Sequence, residues 1–332
     1  MYDQNNKNQQ KNQDFQSENG SRLRDINQFG KAQPWKEKKT NSVYYADILE
    51  LLEFKKAYNV KDCGQYLEFA VSEDDNKRLK QAFFCKSKLC PLCNWRRSKK
   101  LRYQVMEIVQ ACIAKEPKGR WLFLTLTCRN VSTKEELDEI MREMTKAFHR
   151  LFKYKKVAKN ILGFLRGTEV TVNRKEGTYH PHFHVLLFVK SVYFNAKDNY
   201  INQEEWTKLW QKAMKLDYTP VVNVKAVKAT EKYDLKGAIL ETAKYPVKPF
   251  DLLNDDFSAE TKDMITDDLT KGLHRKRQIG FGKLFKEIRK ELQLEDIEEG
   301  DLISVEEDDE NTSSVKEVIA KWNWERKNYY LD

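Results

Sequence analysis

Long apolar runs are missing from this 332-residue chain: nothing approaches the roughly 18 consecutive apolar residues of a membrane helix, so no span is expected. The opening YDQNNKNQQKNQ lacks the apolar core of a secretory signal, so a cytoplasmic location is expected. Glycine (12) and proline (7) are scarce, while 40% of residues are hydrophobic and 12% aromatic. Fibrous and wholly disordered classes are thereby excluded, and the length suits about two domains of ~150 residues. No G-x-x-x-x-G-K-[ST] loop occurs, so no built-in ATP-driven step is expected. Histidine is rare as well, five in all, yet three of them fall at 180, 182 and 184.

The net charge is +9 and unevenly spread. Residues 291–310 hold eleven acids and no base, which leaves the rest of the chain strongly basic. Such a surface suits a polyanion, because each neutralised phosphate releases counterions. Residues 1–40 hold thirteen Asn and Gln against eight hydrophobics, and read as a disordered tail. Residues 44–118 form a small unit with the clustered cysteines, a basic run and a helix over 101–113.

Strand and helix patterns then alternate. WLFLTLT (121–127) is a buried strand, and a helix opens at Ser132 with Glu135 completing a capping box. FLRGTEVTV (164–172) and HFHVLLFV (182–189) form a hairpin across a polar turn with Gly177. A helix with Trp206, Leu209, Trp210 and Met214, a strand over 221–227 and a helix over 234–245 complete the order. This β-α-β-β-α-β order is the ferredoxin-like split arrangement, an α+β fold with an antiparallel sheet and helices on one face. Residues 119–285 are its extent, and 286–332 are an acidic linker with a C-terminal segment.

On a strand, His182 and His184 share a face, and two imidazoles held rigidly there need only a carboxylate to bind a divalent metal. Glu169, on the partner strand, is the third ligand on this reading; the plain alternative is a polar strand face with solvated or core histidines. Cys90-Pro-Leu-Cys93 is a tight knuckle that, with Cys85 and upstream Cys63, supplies four sulfurs to a structural zinc. Cys112 and Cys128 fall in apolar segments and read as core. The adjoining Arg96, Arg97, Lys99, Lys100 and Arg102 are expected to face DNA. Glu241 and Tyr245 stand four apart on one helix face, a pair that carries little weight alone.

Taken in order, FCKSKLCPLCNWRRSKK (84–100), FLTLT (123–127), HPHFHVLLFV (180–189), ETAKYPVKP (241–249), RQIGFG (277–282) and NYYL (328–331) resemble a known family. The family is the rolling-circle plasmid replication initiators with a single catalytic tyrosine, within the His-hydrophobe-His endonucleases. The resemblance implies binding to a plasmid double-strand origin and nicking of one strand. The protein would remain on the 5′ phosphate through Tyr245 and leave a 3′-OH primer. It also implies Mg²⁺ or Mn²⁺ on His182 and His184, water activation by Glu241 at termination, and a host DNA helicase as partner. A conjugative relaxase, a transposase, or a zinc-containing copy-control repressor without nicking activity are the alternatives.

Overall fold

The computed structural model describes residues 20–27, 30–173, 176–195, 198–227, 235, 237–239, 257–305 and 316–332. Helices α1 (Trp35–Leu51) and α2 (Ala57–Asp62) precede strands β1 (Tyr66–Val71) and β2 (Lys77–Ala82). Helix α3 (Pro91–Lys115) leads to β3 (Arg120–Thr127), α4 (Lys134–Leu151), β4 (Ile161–Asn173) and β5 (Thr178–Val189). Then come α5 (Gln203–Met214), β6 (Val222–Val227), α6 (Ala259–Gly272), β7 (Ile279–Lys283), α7 (Leu284–Glu291), β8 (Lys316–Asn323) and β9 (Asn328–Leu331). The protein is a mixed α+β fold with two antiparallel sheets, ordered β2-β1-β8-β9 and β6-β3-β5-β4-β7.

The larger sheet follows from strict alternation. Phe183, Val185, Leu187 and Val189 of β5 pack with Met144, Phe148 and Leu151 of α4 and with Trp206 and Trp210 of α5. Leu186 and Phe188, one residue out of phase, pack on the opposite face with Leu101, Val105, Ile108 and Val109 of α3 and Phe285 and Ile288 of α7. Helices therefore cover both faces, not one: α3 starts at Pro91, ten residues before the sequence pattern suggested, and reaches the far face. Pro91 suits the first helical position, where its missing N–H is no loss. The N-cap of α4 also shifts by one. Thr133 accepts the Glu136 N–H at 3.2 Å, and the Glu136 carboxylate takes the Ser132 N–H at 2.8 Å.

The family-like segments have structural reasons. RQIGFG builds β7, where a Cβ at Gly282 would meet the Phe164 ring at 2.1 Å, so only glycine lets the strands pair there. NYYL is β9, paired to β8, which pairs to β1. The C-terminal segment is thus no appendage; it completes the sheet of the cysteine-bearing unit, and the boundary expected at 286 divides what the strands join. The tail reading needs a similar correction from residue 20 onward. The Gly20 and Leu23 N–H groups donate to Leu331 and Tyr329 carbonyls, the Trp35 indole donates to Asp25 at 2.5 Å, and α1 begins at Trp35. A Trp that buries its ring and satisfies its N–H outweighs a polar surrounding composition. Of the helix expected over 234–245, residues 235 and 237–239 are described and helical; Glu241 and Tyr245 lie outside the described residues. No helix among the described residues is long and apolar enough to cross a membrane.

Candidate metal centres and the basic helix

Register places three side chains together on the larger sheet. Glu169 of β4 lies opposite His182 of β5, and His182 and His184 lie opposite Thr127 and Thr125 of β3. Both Nε2 atoms converge on one Glu169 oxygen, at 3.1 Å from His182 and 2.8 Å from His184. All three residues are more than nine-tenths buried. Burial pushes the Glu169 carboxyl up, but hydrogen bonds from His182 and His184 overcome it and hold the group well below the usual carboxylate range. His182 Nδ1 faces the His180 carbonyl at 3.2 Å, and His184 Nδ1 faces Thr125 Oγ1 at 3.4 Å. Each ring so has a second anchor that leaves Nε2 for a ligand, the usual support of a metal-binding histidine. The Phe123 ring stacks on His184 at 5.5 Å and 19°.

One ligand atom from each residue can be chosen so that all lie within 4.8 Å of one another. Donors about 2.1 Å from a six-coordinate divalent ion stand about 3 Å apart when adjacent, close to the measured separations. Two nitrogens and a carboxylate oxygen thus fit such an ion and would leave positions for water or a phosphate oxygen.

The second cluster closes on itself. Cys63 follows α2, Cys85 follows β2, and Cys90 and Cys93 flank the start of α3. The sulfurs stand 3.5 Å apart for Cys63–Cys93 and 3.7 Å for Cys85–Cys93 and Cys63–Cys90. Disulfide sulfurs would be about 2 Å apart. Four sulfurs at 2.3 Å around a tetrahedral zinc would be about 3.8 Å apart, so the spacing and the donor set fit zinc. Three of the four thiols are wholly buried. Burial opposes charge on Cys90, but hydrogen bonds from Cys63, Cys85 and Cys93 outweigh it and hold that thiol well below its ordinary value. Nothing in the residue pattern points to Lys39. Fully buried on α1, it donates to the Lys61 and Cys63 carbonyls at 2.6 and 2.8 Å. Burial lowers its pKa to about 8, countered by the nearby thiolates, so it supplies a positive charge beside the cluster. Cys112 and Cys128 sit in the core, each pushed up to about 12 by burial.

The basic run on α3 does not present itself as a DNA-facing stripe. Arg96, Arg97 and Lys100 are at most 4% exposed. Arg96 Nε donates to the Leu302 carbonyl at 2.8 Å, and Arg97 donates to Glu298 and Ser87 carbonyls at 3.2 and 3.0 Å. Lys100 donates to the Asp301 carbonyl at 2.6 Å and pairs with Glu295. Their partner is the first part of the acidic stretch, which lies along α3 as a strap. Glu298, at its centre, accepts the N–H groups of Gln278 and Ile279 at 2.8 and 3.1 Å where β7 begins. Of the five cations, only Arg102 is exposed; Lys99 is half-buried over the Trp95 ring. Opposite charge in two distant segments is the available signal, which the expectation of a DNA-facing run and a separate acidic linker leaves unused.

Residues 76–330 match the replication protein family. The chain is similar to the Protein rep of Lentilactobacillus hilgardii, 49% identical over 313 residues, which are 93% of this chain and 98% of that one. It is likewise 49% identical to the Protein rep of Streptococcus pneumoniae serotype 2, over 93% of this chain and 95% of that one. A replication protein of Staphylococcus aureus is 48% identical over 69% of this chain and 97% of its own length. No solved structure matches. With a family match over most of its length and near-full-length relatives at such identity, the chain belongs to the replication protein family, as a plasmid replication initiator.

Proposed function

We propose that this initiator starts rolling-circle replication by nicking one strand of its plasmid's double-strand origin, with Tyr245 as nucleophile. The observation that carries the reading is the convergence of His182 and His184 on one Glu169 oxygen. Ala238 and Ile239, just ahead of Glu241 and Tyr245 in the chain, are buried in the core on the face of the sheet that also bears the histidines, which supports bringing the tyrosine there. The β-α-β-β-α-β order with strands arranged β6-β3-β5-β4 supports the ferredoxin-like assignment.

The phenolic oxygen of Tyr245 attacks the scissile phosphorus, the P–O3′ bond breaks, and the 3′ oxygen leaves as a hydroxyl. The bond energy is conserved in a 5′-phosphotyrosine, so no nucleotide is consumed. Bound at Glu169, His182 and His184, Mg²⁺ or Mn²⁺ would polarise the phosphate and offset its charge in the transition state. Thr125 and the His180 carbonyl keep the rings oriented. At termination Glu241, one helical turn from Tyr245 on the expected helix, accepts a proton from the water that releases the protein. The four cysteines hold zinc as a structural element, and a host helicase unwinds ahead of the fork in the cytoplasm.

The test uses purified protein, Mg²⁺ and a supercoiled plasmid carrying this gene with its flanks. A nicked product with a blocked 5′ end is expected. Tyr245→Phe removes only the phenolic oxygen, so binding should persist while nicking and attachment vanish; nicking by that variant overturns the reading. Glu241→Ala should still initiate but run past the origin into multimeric products, and normal termination would place the base elsewhere.

A further inference from the structure

Beside the cysteine cluster lies a cleft of about 360 Å³ between the Cys85–Leu89 loop, the start of α2, the end of α6 and the strap. Lys56, Lys86, Lys88, His274, Arg275 and Arg277 line it, against two acids, Glu298 and Glu299. The Glu298 carboxylate is already engaged by two backbone N–H groups and is turned inward, with its side chain 3% exposed. Lys88 and Arg277 lean on it or on Asp296. Lys86 donates to a carbonyl, that of Glu299, at 2.9 Å, and Lys56 lies over the Phe54 ring at 5.6 Å. Lys86, Lys56 and Arg275 have no ion pair to a carboxylate among the described residues. A zinc with four thiolates would add two net negative charges beside the cleft, of which buried Lys39 would offset one. The cleft so keeps a positive excess.

Two of these cations sit in an unusual backbone state. Lys86 has φ +54° and Arg275 φ +55°, the left-handed region where a side chain costs about 1–2 kcal/mol. Six other described non-glycine residues share that state, Lys215, Lys283 and Lys327 among them, so it does not by itself mark a ligand site.

We propose that this cleft grips duplex DNA beside the nick site, receiving phosphates of one strand between Lys86, Arg275 and Lys56. The proposal rests on the reading of the chain as an origin-nicking protein. The cleft admits a sugar-phosphate unit but not a double helix, so the duplex lies outside it and lends its backbone. It takes the place of the α3 run, three of whose five charges are spent on the strap, as the basic surface near the zinc knuckle. Phosphate contacts of this kind position the duplex without reading its sequence.

The experiment titrates a short fluorescein-labelled duplex by anisotropy between about 50 and 200 mM salt. The cleft variant is Lys86→Gln/Arg275→Gln. Lys146→Gln/Lys208→Gln, which removes the same charge from exposed positions on α4 and α5, is the control. Losing two phosphate contacts should lower the slope of log affinity against log salt by about 2 and weaken binding roughly 10- to 100-fold. The control should stay within about twofold. Nicking of a single-stranded oligonucleotide bearing the nick site should be equal in all three proteins. Equal slopes for the cleft and control variants overturn the proposal. So does displacement of the duplex by a mononucleotide or inorganic phosphate at about 1 mM in salt-matched buffer, which would make the cleft a small-anion site. If wild-type protein never nicks but the slope difference stands, the nicking reading fails and the cleft assignment survives.

Discussion

The two candidate metal centres are built on opposite plans. The Glu169, His182 and His184 set stands on adjacent strands of one sheet, within fifteen residues of sequence, and its frame is held by strand pairing and packed cores on both faces. The four cysteines come from two loops and a helix start, over thirty residues; the β1–β2 hairpin brings Cys63 and Cys85 together, but no strand ladder reaches Cys90 and Cys93. The first needs no metal to be in place, as its mutual hydrogen bonds indicate. The second brings four thiols together, three of them wholly buried, an arrangement that hydrogen bonds between sulfurs stabilise poorly and a zinc ion stabilises well. Three donors also leave open positions, whereas four sulfurs leave none. Loss of one metal should therefore cost chemistry, and loss of the other should cost structure.

Cys90→Ser should have the largest effect. Structural zinc contributes of order 10 kcal/mol to the folding of small domains, so this variant should lose its zinc and expose residues 60–100 to protease. Metal analysis with limited proteolysis reads both; retention of zinc and of resistance would break the contrast. His184→Ala should do the converse. Origin nicking should fall on the order of a thousandfold while zinc content stays at one per chain and the melting temperature drops by a few degrees at most. Glu169→Gln, which keeps size but loses charge, should weaken divalent binding about 10- to 100-fold, with nicking partly recovered at high Mn²⁺. No recovery would mean that the carboxylate does more than bind metal. The smallest effect concerns α3: Arg97→Met should lower stability by about 1–3 kcal/mol, since it strands strap and loop carbonyls in the interior. Urea midpoints should shift, and duplex affinity of the folded protein should not. A loss of affinity without a loss of stability would return that residue to the DNA interface.

What could be read from the sequence depended on how local its cause was. Alternation along β5 fixes which histidines share a face, and a short polar turn fixes which residue of β4 stands opposite, so Glu169, His182 and His184 were legible from pattern. Cys90 and Cys93 were legible from their spacing. The second helical layer was not, because the apolar stripe on α3 does not say which sheet face it covers. Arg96, Arg97 and Lys100 are not legible as buried, because an isolated basic run looks solvated and it is the strap, some 200 residues later, that buries them. Likewise nothing in NYYL announces that it pairs with β8 and so joins the sheet of a strand near residue 66, and Trp35 had to be seen against Asp25 to remove residues 20–40 from the tail.

The contrast between a closed and an open metal centre is tested most directly by brief EDTA treatment of the purified protein. Metal content, circular dichroism and origin nicking are then measured on the same sample. The account predicts about one zinc per chain retained, an unchanged spectrum, nicking abolished, and nicking restored by added Mg²⁺ or Mn²⁺. Simultaneous loss of zinc, fold and nicking, or nicking that survives in the absence of any divalent ion, would contradict it.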